Sequence, residues 1–127
     1  MVVGLGIDVV SVDRIRRSLE RFGDRFWERI LTVGEREDLK DRGVARAVAL
    51  AGRFAAKEAF SKAIGAPNDV WWHDVEVRRG RGGAPELSWS GPANAHMERL
   101  DVARALVSIT HDAGVAAAVV VLDSGSP

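Results

Sequence analysis

Between Gly52 and Gly65 the sequence reads GRFAAKEAFSKAIG, with a carboxylate, Glu58, one helical turn before an ammonium, Lys62, on an alanine-rich background. Residues three and four apart share one side of an α-helix, so Phe54, Glu58, Ser61 and Lys62 form one stripe that ends at the helix-stopping Gly65. Such a face can bind a metal ion and a phosphate together. Asp8 lies in an otherwise apolar run near the N-terminus, where an unpaired carboxylate is costly to bury. His111 follows Ser108-Ile109-Thr110 near the other end, with Asp112 beside it. Taken singly, each has a plain structural explanation. Asp8 could accept backbone hydrogen bonds at a strand end. Glu58 with Lys62, and Lys57 with Ser61, could be exposed pairs worth about 0.2–0.5 kcal/mol. His111-Asp112 could be a turn. Gly4-x-Gly6 lacks the third glycine of a dinucleotide fingerprint, and no Gly-rich Lys-Ser/Thr phosphate loop occurs. The combination says more. Mg²⁺ takes oxygen ligands, commonly one or two carboxylates with water and substrate phosphates. Asp8 and Glu58 can supply the carboxylates, and Lys62, Arg53 and His111 the cation and base that a phosphoryl transfer needs.

These residues require elements to carry them. Residues 2–12 read as a strand ending near Ser11, after which Asp13 can cap a helix over about 13–31. In that helix Ile15, Leu19, Phe22, Phe26 and Ile30 keep the buried spacing, while Arg14, Arg17, Arg21, Arg25 and Arg29 stripe the outward face. A short helix from Glu35 to Lys40 precedes a long one over about 44–64, whose Ala51, Ala55 and Ala59 suit close packing. Val75 and Val77, the Arg79–Gly83 turn, and Leu87 to Trp89 read as an antiparallel hairpin. A modest helix follows Gly91-Pro92. Two strands, 105–110 and 115–122, are expected to be joined by His111-Asp112-Ala113-Gly114, before a frayed tail from Asp123. The fold class is α+β, an antiparallel sheet against a long helix, in one domain over 1–127.

At 127 residues and 46% hydrophobic content the chain can bury a core unaided. It has no cysteine, which excludes disulfides and thiolate zinc sites and points to a reducing compartment, the cytoplasm. Basic and acidic residues number 18 each, so no bulk charge draws the chain to nucleic acid or to an anionic membrane, and no leader or membrane span is expected.

Gly4-x-Gly6-Ile7-Asp8, Ile30-Leu31-Thr32 followed by Glu35, Ala51 to Ala63, and Ser108-Ile109-Thr110-His111 together resemble the holo-acyl-carrier-protein synthases, small 4′-phosphopantetheinyl transferases. The resemblance covers nearly the whole chain in order and spacing. It implies transfer of the 4′-phosphopantetheine arm of coenzyme A to a serine of an acidic apo acyl carrier protein. It implies Asp8 and Glu58 as Mg²⁺ ligands, Glu58 also as the base, and Lys62 at the pyrophosphate. Arg53, Ser61, Gly65 and His111 would line the coenzyme A site, with Gly83-Ala84-Pro85 as the turn beside adenine. Ala84 stands where the family often has a basic residue, and Asp112 where many relatives have a small hydroxyl, so a third acidic group near the metal is an open alternative. The resemblance further implies a homotrimer with sites between subunits, and leaves open which chain supplies each residue. Arg14, Arg17, Arg21 and Arg25 with Phe22, Phe26 and Phe54 form the expected carrier-docking surface.

Overall fold

A computed structural model describes residues 1–127. The first strand, β1 (Val2–Ser11), alternates cleanly. Gly6 and Val10 are buried against the helix that follows later in the chain, while Leu5, Ile7 and Val9 point to the opposite side. It pairs antiparallel with β5 (Val115–Asp123), which pairs with β4 (Arg104–Asp112), giving a three-stranded sheet in the order β1-β5-β4. A separate two-stranded sheet joins β2 (Val75–Arg79) to β3 (Pro85–Trp89). The antiparallel arrangement agrees with expectation, although it is divided between two sheets.

The long helix, α4 (Arg46–Ala63), lies across the inner face of the larger sheet, with Leu50, Ala51, Ala55, Ala56, Ala59 and Phe60 fully buried. Alanines are needed there because β1 approaches very closely. A Cβ on Gly4 would lie 2.6 Å from the Ala63 carbonyl oxygen, and one on Gly6 would collide with the Ala59 carbonyl. The Gly4-x-Gly6 pair therefore serves strand–helix packing.

The single helix expected over 13–31 is two helices, α1 (Val12–Phe22) and α2 (Asp24–Ile30). Gly23 separates them at φ 62°, a left-handed conformation that a helix cannot continue through. The break changes the inward face: Ile15, Trp27 and Ile30 are buried, whereas Phe22 is 50% exposed. Ser11, not Asp13, caps α1 by accepting the Arg14 N–H at 3.2 Å, and Asp13 instead pairs with Arg17 at 2.9 Å. His111 and Asp112 belong to β4, so the β4–β5 turn is only Ala113-Gly114. The tail is tied at its start: Ser124 N–H donates to the Met1 carbonyl, and the Met1 ammonium 2.9 Å away holds the Asp123 carboxyl down at about 2. α5 (Ala93–Arg99) closes the β3–β4 connection, burying Ala93 and Met97.

One buried polar hub joins four of these elements. Lys57 on α4 and Glu35 on α3 (Val33–Leu39) form a 2.7 Å ion pair with side chains 2% and 0% exposed. The Lys57 ammonium also donates to the carbonyls of Ile30 at 2.7 Å and Trp72 at 2.9 Å. Glu35 accepts the N–H of Val77 at 2.8 Å and of Thr32 at 2.8 Å, and Thr32 returns the contact as a capping box. Lys57 is thus committed to Glu35, not to Ser61 as its spacing allowed.

Gly6→Ala should destabilise the fold by about 3 kcal/mol or more in urea denaturation, because its new methyl meets backbone. Gly52→Ala, whose methyl would meet only the Ile109 side chain at 3.0 Å, should cost clearly less. Equal losses would contradict this account of the strand–helix contact.

Candidate active site

Register and helix phase bring Asp8, Glu58 and Lys62 together. Asp8 faces α4 from the middle of β1, two residues beyond Gly6, and its side chain is 15% exposed. Lys62 sits near the C-terminal end of α4 and reaches back to β1, its ammonium 3.0 Å from Asp8 Oδ1 and 3.0 Å from the Ile7 carbonyl. Lys62 therefore pairs with Asp8 across the strand–helix contact rather than with Glu58 along the helix. Glu58, half-buried on the same helix face, has its pKa raised, first by burial and then by the negative charge of Asp8, with Lys62 opposing. Asp8 is thus a compensated mid-strand carboxylate, not one satisfied by backbone at a strand end.

Two carboxylates whose charges repel one another suit a hard divalent cation, and the donors are all oxygen, as Mg²⁺ prefers. Within one chain no third acidic or histidine side chain gathers there, and Asp112 ends β4 beside His111. The other predicted residues divide between two clefts. Glu58 and Ser61 line one of about 310 Å³, together with Lys57, Phe60, Trp71 and Trp72. Gly65, at φ 94°, ends α4 near the same end of the helix. Arg53 and His111 line another cleft of about 260 Å³ with Arg42, Gly52 and Thr110. Arg53 and Glu58 are five residues apart, about 140° around α4, which is why one chain points them to different sides. Gly83 and Ala84 end the β2–β3 turn, Pro85 opens β3, and none of them lines either cleft.

Arg42 and the Glu35–Lys57 hub are additions that residue spacing alone did not single out. Arg42 precedes a 3₁₀ turn and lies on no periodic face. Lys57 reads from its spacing as an exposed partner of Ser61, and only packing of α3 on α4 brings it to Glu35. The arginine stripe survives the break at Gly23 as two hollows sharing Phe22. Arg14, Arg17 and Arg21 line the first, and Arg25, Phe26 and Arg29 the second. Phe54 lines neither and packs its ring against Trp72 at 4.9 Å.

Known proteins with this architecture and length agree in kind. The sequence profile of the 4′-phosphopantetheinyl transferase superfamily matches residues 4–120. A holo-[acyl-carrier-protein] synthase of Frankia alni is 47% identical over 123 residues, covering 97% of this chain and 98% of its own. That of Solidesulfovibrio magneticus is 48% identical over 125 residues, covering 97% and 99%. Among solved structures, the Helicobacter pylori holo-[acyl-carrier-protein] synthase in complex with coenzyme A superposes with a TM-score of 0.81 at 35% identity, over 94% of this chain and 99% of that one. The Bacillus anthracis holo-(acyl-carrier-protein) synthase, described in complex with CoA (3′,5′-ADP), gives 0.80 at 40% identity, over 98% and 99%. Sequence profile, full-length identity and fold thus converge, and the chain belongs to the 4′-phosphopantetheinyl transferase superfamily, within its holo-[acyl-carrier-protein] synthases.

Proposed function

We propose that this chain transfers the 4′-phosphopantetheine arm of coenzyme A to a serine of an apo acyl carrier protein, releasing adenosine 3′,5′-bisphosphate in a Mg²⁺-dependent reaction. The observation that carries this reading is the convergence of Asp8, Glu58 and Lys62 on one strand–helix contact. Asp8 and Glu58 would hold Mg²⁺, which when bound supplies positive charge at the pyrophosphate. The carrier serine Oγ attacks the phosphorus that bears pantetheine, its bond to the nucleotide-side oxygen breaks, and the electron pair leaves with adenosine 3′,5′-bisphosphate. Glu58 helps take the serine proton, directly or through water, a role suited to a carboxylate whose pKa is raised by burial. Lys62 offsets charge on the departing phosphate, for which it must leave or share its Asp8 partner. Ser61 and Gly65 would line the coenzyme A site, and Gly83, Ala84 and Pro85 would form the turn beside the adenine.

The Arg42, Arg53 and His111 cleft suits phosphate, but it lies around α4 from Glu58 in the same chain. A neighbouring copy could bring it there. The outer face of the larger sheet supports such assembly, since Leu5, Ile7 and Val9 are 64%, 63% and 60% exposed and Leu106 on β4 is 48% exposed. This apolar face suits burial against further copies of the same chain. We therefore assign a homotrimer whose sites combine Asp8, Glu58 and Lys62 of one protomer with the anion-binding cleft of its neighbour.

Incubation with coenzyme A, Mg²⁺ and apo carrier proteins should add one phosphopantetheine mass to the carrier serine. No mass change with several acidic carriers would overturn the reading. Glu58→Ala should lower kcat by about 100-fold or more, whereas Arg21→Ala should act mainly on association rate. Comparable kcat losses at saturating carrier would reverse these roles.

Glu58 also makes a pH prediction for the metal-free protein. Its folded pKa lies above the ordinary value of 4.5, so the folded state holds this proton more tightly than the unfolded chain. Its contribution to stability is complete below pH 4.5 and is lost as pH rises through the raised pKa. Glu58→Gln should therefore be slightly more stable than the parent at pH 7 without metal, and the difference should disappear near pH 4. Differential scanning calorimetry at both pH values checks this, and a destabilised Gln variant at pH 7 would contradict it.

For the assembly, sedimentation should give three times the 13.7 kDa chain mass. Leu5→Asp should shift that mass toward the monomer and abolish turnover, and a trimeric, active Leu5→Asp would refute the sheet-face interface.

A further inference from the structure

Trp71 is a fixed aromatic side chain left in the open. It is the one exposed residue among the four tryptophans, with half of its surface accessible, while Trp27 is buried and Trp72 and Trp89 are partly covered. Its backbone is held on both sides: the Trp71 N–H donates to Asp74 Oδ2 at 2.7 Å, and its carbonyl accepts the Asp74 N–H at 2.9 Å. The same short turn is tied to α2, where the His73 ring nitrogen lies 2.8 Å from the Glu28 carbonyl. It is tied to α4 through the Trp72 carbonyl and the Lys57 ammonium, and by the Trp72 ring against Phe54. The indole therefore has little backbone freedom to lose on meeting a partner.

Its surroundings are those of a binding anchor. The Arg29 guanidinium of α2 sits 5.2 Å from the Trp71 ring centroid. Arg29 also lines the hollow of about 470 Å³ formed with Phe22, Arg25 and Phe26, and Trp71 itself lines the cleft that contains Glu58 and Ser61. The Arg29–Trp71 contact is thus where the cationic, aromatic hollow on α2 meets the catalytic cleft. Fixed aromatics beside arginines are the side chains that dominate protein–protein binding energy, and the two positive charges select an acidic partner.

We propose that Trp71, with Arg29 over its ring, is a carrier-docking anchor that packs an apolar side chain next to the carrier's modified serine while Arg25 and Arg29 pair with acidic groups around it. This rests on the transfer reading above and extends the docking surface beyond the arginine stripe to a position that selects among carriers. An apolar residue seated on Trp71 puts the adjoining serine at the mouth of the Glu58 cleft. A carrier with a small polar residue at that place loses the apolar contact with the indole.

The test compares the parent, Trp71→Ala and Trp71→Phe. Initial rates are measured against apo carrier at saturating coenzyme A, and against coenzyme A at saturating carrier. Calorimetry measures binding of a carrier whose serine is replaced by alanine. Trp71→Ala should raise the carrier KM and Kd about tenfold, the size expected of an interface anchor. Trp71→Phe should recover most of the loss, with the coenzyme A KM moved less than about twofold. A raised coenzyme A KM with unchanged carrier Kd would assign the ring to the coenzyme A arm and overturn the proposal. Unchanged values for both would make Trp71 a bystander and overturn it equally. If the parent modifies no carrier, the transfer reading fails, and the calorimetric Kd of Trp71→Ala still decides docking.

Discussion

The Glu35–Lys57 ion pair is the contact on which the rest of the structure depends. Removing two charges from water is costly, and their attraction repays this only when every remaining donor and acceptor is used. Here it is: the ammonium donates to Glu35 and to two carbonyls, and the carboxylate accepts two backbone N–H groups besides Lys57. The result pins the end of α2, the start of α3, the turn before β2 and β2 itself to one turn of α4. Losing one partner would strand a buried charge, a penalty of about 3–5 kcal/mol. Glu58 is the next residue along, so the hub that fixes Lys57 also fixes where Glu58 stands relative to the Trp71–Trp72 wall.

A second constraint sets the other half of the site. Gly4 and Gly6 allow β1 to lie almost against the α4 backbone, and Asp8 follows at the point where a side chain can again be accommodated. The short strand–helix separation is what lets the Lys62 ammonium reach both Asp8 and the Ile7 carbonyl. It also forces two carboxylates close enough for one to raise the other's pKa. That repulsion is a local cost to the fold, and it is the electrostatic condition under which a divalent ion is welcome.

α4 serves opposite sides with different chemistry. One flank carries Glu58, Ser61 and Lys62, and the other turns Gly52 and Arg53 toward Ile109 and His111. A helix of this pitch cannot aim both sets at one ligand within a single chain. An exposed apolar sheet face on the same molecule suits burial against another copy, and the assembly we propose would use that face to complete the site.

Much of this was legible from residue order. Alternation located the five strands to within a few residues, alanine spacing identified α4, and the Glu58 to Lys62 interval marked the helix face that meets Asp8. Local propensity decided these features, so local sequence contained them. The break at Gly23, by contrast, depended on whether the glycine took a left-handed conformation, and periodicity passes through it unaltered. Charged residues were the least readable. Lys57 and Lys62 differ by five positions in the same helix, yet one is buried on Glu35 and the other half-exposed on Asp8. Nothing near either lysine in the chain distinguishes them, because their partners lie 22 and 54 residues away. The sequence by itself determined which groups were present and which elements carried them. Only tertiary packing decided which charge met which, since electrostatic energy depends on distance and burial and neither exists until the elements have packed.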